Sequence, residues 1–488
     1  PLQNVNVWYG AGYAQDEWRP TRNVTVTAGL RFDRSQFKNT AFRNEGADSL
    51  TFLDENGSPV KYDTGRLPDP KILWSPRVGL NWDVRSDQST QVRGGTGVFS
   101  GRPAYVWISN QLGNTGVLAG ERIIDTTTAF PFNPNPDTYK PAATGVGAAS
   151  YQLNVTDRDF KFPQVWRSNI AVDRKLPGGI VSTTEYIFAK DVNAVSYFNA
   201  NLPPAQSTFA GVDARPRWVG TPCAATGQAG GCVNRINNDP GNQVTFNYVL
   251  KNSGEGTSWN LSQTLSKTTG FGLSFRGGYN YGVSRSRVDP ESTAATSYAR
   301  IATFGNPNDS GVADSLWSPG HRAFALVSFT REYFSLGATS VSLFWEARHS
   351  YASSTPSSRV SYVFAGDMNG DGVSANDLIY VPRDVSEMNF VPFAVGTRTF
   401  TAEEQAAAFE QFIENDEYLQ KRRGQYAERY GAMTPMFRHA DLSITQDIFR
   451  AVAGRRHAFQ VRPDIFNIGN LLSHSWGVSW QPTAAVDT

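Results

Sequence analysis

Long runs of alternating apolar and polar residues constrain the fold of this chain more than any other feature. The clearest runs are residues 24–33, 78–85, 271–281, 341–348 and 441–447. Hydrophobic side chains occupy every second position, as in a strand with one apolar and one polar face. At 7 to 11 residues, the runs exceed the usual 5–6 residues of soluble strands. The two longest, 24–33 and 271–281, match the roughly 9–11 residues that a tilted strand needs to cross a bilayer.

The connections between these runs alternate strictly between short and long. Short turns are predicted near 19–23, 86–89, 175–179, 267–270, 332–337 and 449–456. Long polar segments lie between them, at 37–71, 100–163, 191–256, 285–320 and 350–436. This alternation is typical of a transmembrane antiparallel β-barrel, which has short turns at one end and long extracellular loops at the other. The chain is therefore predicted to be all-β, with six hairpins that supply about twelve membrane-spanning strands.

The two faces of each predicted strand have different surroundings in such a barrel. The apolar face contacts lipid, and the opposite residues line a polar lumen, here Arg31, Asp33, Asn81, Asp83, Arg85 and Arg276. Because lipid offers no hydrogen bonds, every strand must be paired and the sheet must close. Aromatic residues near strand ends are predicted to form interfacial girdles: Tyr9, Tyr13, Trp18, Trp74, Trp166, Trp317, Trp476 and Trp480.

Composition excludes several other classes of protein. Lys plus Arg number 45 and Asp plus Glu 44, so the net charge of +1 gives no support for nucleic-acid binding. A mean hydropathy of −0.40 is too polar for a bundle of membrane helices. One short loop helix is predicted, from a capping box of Thr401 and Glu404 to the region of Leu419–Arg423.

No catalytic constellation is visible, so the chain is not expected to be an enzyme. The nucleophile-elbow, zinc-protease, phosphate-loop and dinucleotide-binding motifs are missing, and the five histidines are scattered singly. Cys223 and Cys232 lie close together in a Gly- and Ala-rich segment. They are interpreted as a loop disulfide in an oxidising compartment, with two unpaired thiols as the alternative.

One segment resembles the first half of an EF-hand calcium loop. Oxygen ligands stand at its positions 1, 3 and 5, a glycine at 6 and a carbonyl donor at 7, namely Asp367, Asn369, Asp371, Gly372 and Val373. The closing acid departs from the pattern, because position 12 is Leu378 and Asp377 comes one residue early. The segment therefore predicts either a Ca²⁺ site or a tight turn without metal.

Several separated segments resemble TonB-dependent outer-membrane receptors. The stretch YAQDEWRPTRNVTVTAGLRFD (13–33) is similar to a barrel hairpin of that family. Further segments resemble the Oar-like subgroup of this family. They are GDMNGDGVSANDLIYVPRD (366–384), NDEYLQKRRGQYAERYGAMTP (415–435), and the DLSITQDIF stretch with FQVRPDIFNIGNLLSHSWGV near the C-terminus.

This resemblance implies a 22-stranded barrel closed around an N-terminal plug in the outer membrane of a Gram-negative-type cell. It also implies uptake of a ligand energised through TonB. Residues 1–488 would then be a partial barrel domain, since neither a plug nor a closing C-terminal strand is recognised in them. The start at Pro1, without a signal peptide, likewise suggests a fragment or a processed chain.

Three functions are weighed on this basis. The first is a TonB-dependent transporter whose extracellular loops bind an unidentified ligand. The second is a passive pore or a surface or export scaffold of the outer membrane. The third is a soluble calcium-binding β protein such as a propeller, although no repeat of about 40–50 residues is present. Loop residues Tyr105, Trp107, Arg217 and Trp218 could contact a ligand, but loop packing is the favoured interpretation.

Overall fold

The computed structural model describes residues 4–38, 41–117, 128, 130–135, 138–139, 150–218, 234–239, 242–333, 337–350, 358–452, 455–479 and 485–486. Cys223, Cys232 and Trp480 lie outside these residues. The predicted disulfide therefore stays a prediction.

Twelve long strands, numbered β1 to β12, dominate the described residues. They are Val7–Thr21, Val24–Phe37, Ile72–Asp83, Thr90–Ser100, Gln164–Leu176, Ile180–Asp191, Gly256–Thr268, Leu273–Ser286, Gly320–Tyr333, Gly337–His349, Met436–Val452 and Arg455–Val461. Except for β12, each has 11 to 17 residues, enough to cross a bilayer when tilted.

The twelve strands form one sheet in sequence order, and every neighbouring pair is antiparallel. Two short strands, Ala313–Asp314 and Asp464–Ile465, attach to β8 and β11. The six short turns and five long connections of the chain fall between the strands as predicted. Within the described residues, β1 and β12 are each paired with one long strand only, so these two strands form the edges of the sheet.

The register places apolar residues on one face of the sheet. Leu261 of β7 stands directly opposite Tyr186 and Tyr281, and Val327 of β9 stands opposite Phe275 and Leu343. These side chains are exposed, to 46% for Leu261 and 43% for Leu343. A continuous exposed apolar face of this kind is what lipid would cover. The predicted alternation is therefore confirmed.

The boundaries of the strands correct several assignments made from sequence. Strand β3 ends at Asp83, so Arg85 lies in the turn and not on the strand face. Phe271 also lies in a turn, because β8 begins at Leu273. Tyr13 pairs with Arg31 and Tyr9 with Ser35, both on the polar face, so neither tyrosine belongs to a lipid-facing girdle. In contrast, Trp18 and Trp74 pair with apolar residues, as a girdle requires, and Trp166 stands between Val98 and Lys190.

The expectation of one loop helix is wrong, since the described residues contain five α-helices. They are Glu45–Ser49 (α1), Val106–Gly113 (α2), Ala294–Ala299 (α3), Ala402–Glu414 (α4) and Glu417–Gln420 (α5). The capping box of Thr401 and Glu404 is present, but α4 ends at Glu414, where Asp416 caps a separate short helix. None of the helices in the described ranges is long and apolar enough to span a membrane.

Short strands and 3₁₀ turns also occur in the long connections. Ser150–Thr156, Ala194–Asn199 and Gln243–Ser253 form a three-stranded sheet in which Gln243–Ser253 is central. Two- and three-residue strands are Phe52–Leu53, Pro59–Val60, Ser207–Thr208, Pro216–Arg217, Arg359–Val360, Val363–Phe364, Tyr380–Val381, Phe393–Val395, Arg398–Phe400, Gln425–Tyr426, Ala432–Met433 and Ala485–Val486. The 3₁₀ turns are Pro177–Gly179, Pro307–Asp309, Val385–Glu387 and Ile468–Leu471.

The long connections pack on one another into what we call the loop layer, formed by residues 41–71, 101–163, 192–255, 287–319 and 350–435 as far as they are described. Its largest buried cluster joins residues of all five connections, among them Leu67, Ile108, Leu250, Tyr298 and Val373. A second cluster centres on Ile379, Ile413 and Leu419. A third joins Phe52, Leu153 and Val244. The hydrophobic core of this chain therefore lies mainly in the loop layer, and the sheet turns its apolar side chains outward.

A charge placed on the apolar face should destabilise the protein far more than one on the polar face. Leu261→Arg, near the middle of β7, is expected to cost about 2–4 kcal/mol of unfolding free energy in a bilayer. Ser262→Arg is the matched control, since Ser262 faces inward opposite Glu185. Urea titrations in lipid vesicles measure both. Equal losses for the two variants would contradict the assignment of the faces.

Candidate functional site

The inward face of the sheet carries charged side chains that are paired across strands. Arg93 on β4 contacts Asp173 at 3.0 Å and Glu185 at 3.5 Å. Thr183 donates a hydrogen bond of 2.6 Å to Asp173, and Asn169 one of 3.3 Å to Glu185. Charged and polar groups joined in this way give a polar, hydrated surface that could guide a polar solute.

Two further clusters repeat the arrangement along the same face. Asp33 on β2 is buried and accepts hydrogen bonds from Arg31 and from the hydroxyl of Tyr9. Glu346 on β10 accepts from Arg322 at 2.7 Å and lies 3.3 Å from Arg348. The predicted inward placement of Arg31 and Asp33 is thus confirmed, whereas Arg85 lies beyond the strand.

The predicted calcium segment forms a compact turn in the loop layer. The backbone N–H of Gly370 donates to Asp367 at 2.7 Å, and that of Gly372 donates to the other oxygen of Asp367 at 2.9 Å. The N–H groups of Met368 and Asn369 donate to Asp377, at 2.8 and 3.3 Å. The turn closes on a short antiparallel contact, in which Ile379 donates to Tyr362.

The turn contains three carboxylates, and its inner residues are buried while Asp367 is exposed. Asn369, Asp371, Asn376 and Asp377 are all at most 2% exposed. Burial raises the pKa of Asp371 to about 7 and that of Asp377 to about 6. The amide Nδ2 of Asn376 lies 3.2 Å from Asp371, whereas its Oδ1 has no hydrogen-bond partner. An unpartnered buried oxygen beside partly uncompensated carboxylates is a chemical environment suited to a hard cation.

The chemistry of these carboxylates suits a metal ion, but their arrangement in the turn is less suitable. No group of three or more His, Cys, Asp or Glu side chains in the described stretches is arranged to hold a metal ion. Backbone N–H groups occupy both oxygens of Asp367 and one oxygen of Asp371. Each carboxylate oxygen nevertheless has a second lone pair. The Val373 residue is buried at the expected seventh position, and its N–H donates to Asp371 at 2.8 Å.

A buried arginine that the sequence analysis missed completes this region. The side chain of Arg215 is fully buried, and its Nε donates to Asp213 at 3.0 Å. Its Nη2 donates to the carbonyl of Leu378 at 2.8 Å, and its Nη1 lies 3.6 Å from Asp377. Arg215 therefore joins the turn 209–217 to the calcium-like turn. Its one local signal was the neighbouring Asp213, because Asp377 is distant in sequence.

The aromatic loop residues pack inside the loop layer, as the favoured interpretation held. Trp218 is 2% exposed, and its Nε1 donates to the carbonyl of Pro203 at 2.8 Å. Trp107 donates to the carbonyl of Glu291, and Tyr105 packs its ring edge-on against Phe162. Arg217 lies over the ring of Phe209. These residues stabilise the loops and are not arranged as a ligand site.

Removing Arg215 should loosen the loop layer. Arg215→Ala would leave buried Asp377 without its cation, and the loss of one partner of a buried ion pair costs about 3–5 kcal/mol. Native-state proteolysis of the loop layer measures this loss. Lys421→Ala is the control, because the pair of Lys421 with Glu417 is exposed to solvent. If both variants are cleaved at the same rate, the anchoring role of Arg215 is wrong.

Comparison with known proteins identifies the family. The model of the outer membrane β-barrel domain family matches residues 1–328, about two thirds of the chain. No curated protein matches the chain.

Solved structures give a weaker similarity. The FrpB iron transporter of Neisseria meningitidis (F5-1 variant) has 9% identity and a TM-score of 0.40, covering 96% of this chain and 42% of its own. The ferric enterobactin receptor PfeA of Pseudomonas aeruginosa has 8% identity and a TM-score of 0.40, covering 95% of this chain and 48% of its own. The outer membrane transporter YddB of Escherichia coli has 8% identity and a TM-score of 0.40, covering 95% of this chain and 50% of its own.

The chain thus spans at most half the length of these structures. Its similarity to them is too low to assign a ligand or a mechanism. The family match and the two-faced sheet agree, and together they exclude the soluble β protein. The chain belongs to the outer membrane β-barrel domain family and is located in the outer membrane.

Proposed function

We propose that this chain is the barrel part of a TonB-dependent outer-membrane transporter. Its loop layer binds a ligand outside the cell, and the paired charges of the inward face line the path across the membrane. The complete protein would be a 22-stranded barrel around a plug that contacts TonB, and the motifs at 366–384 and 415–435 favour the Oar-like subgroup.

The observation that carries this proposal is the position of the loop layer. All five long connections leave the same end of the sheet and share one buried cluster. A folded cap of this size above a polar inward face suits a protein that selects its solute before passage. A simple pore has no need of such a cap.

The test compares a gated transporter with a passive pore. The full-length protein is produced in a Gram-negative host, and susceptibility to the large antibiotic vancomycin is measured with and without it. A gated transporter leaves susceptibility unchanged, and it is recovered with TonB after chemical cross-linking in cells. Increased susceptibility would instead support a passive pore. Unchanged susceptibility without cross-linking to TonB would support a surface or export scaffold.

We also propose that the turn 367–377 binds Ca²⁺. Asp367, Asn369, Asp371 and the carbonyl of Val373 would supply oxygen ligands, with Asp377 replacing the missing acid at position 12. The unpartnered oxygen of Asn376 supports this assignment, as does the buried excess of negative charge around Asp371. Binding requires the carboxylates to use their second lone pairs and to close around the ion.

Calcium should therefore raise the thermal stability of the purified protein. At a hundredfold excess over Kd the gain would be about 2.7 kcal/mol, because Ca²⁺ binds only the folded turn. Asp371→Asn should abolish the difference between melting in calcium and in chelator. Asp309→Asn, at an exposed aspartate, should retain the difference. The same melting temperature with and without calcium would show that the turn is held by its hydrogen bonds alone.

A further inference from the structure

A large cavity lies in the loop layer, apart from the polar face and beside the calcium-like turn. Its walls are the turn 209–213, the segment 386–393 and the face of α4 that carries Gln405 and Phe409. The volume is about 870 Å³. Sites for small organic molecules usually measure about 300–1,000 Å³. The cavity is therefore large enough for a compound of two or three fused rings with substituents.

The lining of this cavity is predominantly apolar and rich in aromatic rings. Its aromatic members are Phe209, Phe364, Tyr380, Phe390, Phe393 and Phe409. Val391 is 77% exposed and Phe393 47% exposed, so apolar surface continues onto the rim. Exposed apolar surface in a concave wall favours a ligand that covers it.

The walls are held in place by contacts behind them. Gln405 donates from Nε2 to the carbonyl of Val391 at 2.9 Å, which fixes the outer segment to α4. The rings of Phe390 and Phe409 meet edge to face at 5.9 Å. On the opposite side, the N–H of Phe209 donates to the carbonyl of the anchored Arg215 at 3.0 Å. A preformed wall lowers the entropy cost of binding.

The charges at the wall restrict the chemistry of the ligand. The lining contains the carboxylates of Asp213 and Glu387, and none of its described residues is a lysine or an arginine. Both carboxylates are oriented by tyrosines, since Tyr426 donates to Asp213 at 2.9 Å and Tyr380 donates to Glu387 at 3.1 Å. Each carboxylate is already paired with an arginine outside the lining, Asp213 with Arg215 at 2.9 Å and Glu387 with Arg383 at 3.3 Å. An anion would therefore meet carboxylates and no free cation among the described lining residues, whereas a neutral or cationic aromatic compound would meet several aromatic faces.

We propose that this cavity binds a neutral or cationic aromatic small molecule and excludes anionic ones. The inference deepens the proposed function, because it names the chemistry of a ligand that the loop layer would capture. The inference depends on the proposed function only for the step after binding, in which the bound molecule crosses the outer membrane. Binding itself depends on the cavity alone, so the two can fail separately.

Methionine methyl groups provide a direct test. The chain has four methionines, of which Met368 and Met388 line the cavity while Met433 and Met436 do not. The purified chain of residues 1–488, labelled with ¹³C at the methionine methyls, is titrated with three compounds that share one ring system. These are 1-naphthalenemethanol (neutral), 1-naphthylmethylamine (cationic) and 1-naphthoate (anionic). The first two should shift the resonances of Met368 and Met388 alone, and the third should leave all four unchanged.

A filled cavity should lose this binding. Ala210 is an exposed lining residue, so Ala210→Trp should occupy the space and weaken binding of the neutral and cationic compounds about tenfold or more. Ala205→Trp, at an exposed alanine outside the lining, is the matched control and should bind normally.

Three results would overturn the proposal. They are equal shifts of all four methyls, no shift with the neutral and cationic compounds, and binding of 1-naphthoate as tight as that of 1-naphthalenemethanol. Binding in a protein that admits vancomycin would overturn gated transport while leaving the cavity assignment intact.

Discussion

The need to pair backbone hydrogen bonds where no water is available governs the architecture of this chain. In hydrocarbon, an unpaired N–H or C=O costs several kcal/mol, so spanning segments must be helices or strands of a closed sheet. The twelve strands pair in continuous antiparallel ladders from β1 to β12, so each strand between these two edges has a partner on both sides. Pairing then sets the faces, since directly opposed residues point the same way. The outward rows of Leu, Val and aromatic side chains and the inward clusters around Arg93 and Glu346 are both consequences of that register.

The loop layer follows a different rule, because it lies in water and can bury its apolar side chains in the ordinary way. Leu250, Ile301 and Ile379 are almost completely buried there. Most buried charged groups described around this turn have local partners, since Asp371 and Asp377 accept from backbone N–H groups and Arg215 donates to Asp213. One chain thus combines an outward apolar sheet with a conventional folded cap, and the candidate sites for ligand and calcium both belong to the cap.

The sheet could be predicted from sequence, whereas most of the cap could not. Alternation with a period of two is a local signal, and so is the contrast between turns such as 175–179 and connections such as 191–256. The girdle assignment failed at Tyr13 because its face depends on the register with Arg31, which composition does not reveal. The turn 367–377 was visible because its ligand pattern is contiguous. The role of Arg215 was not visible in the sequence, because the tertiary fold alone brings its partners Asp377 and Leu378 to it. The cavity was hidden for the same reason, because the turn 209–213 is distant in sequence from the other lining residues, which lie between 364 and 409.

The shared buried cluster of the loop layer also has a consequence for the order of assembly. Its side chains come from connections that begin after β2, β4, β6, β8 and β10, so they meet only when the strands between them have taken adjacent places. Contacts so distant in sequence form late, because the entropy of closing long loops must be overcome first. A completed cap is thus a sign that the strands beneath it are in register. Proteases and chaperones outside the bilayer could distinguish mature from unfinished protein by the cap alone.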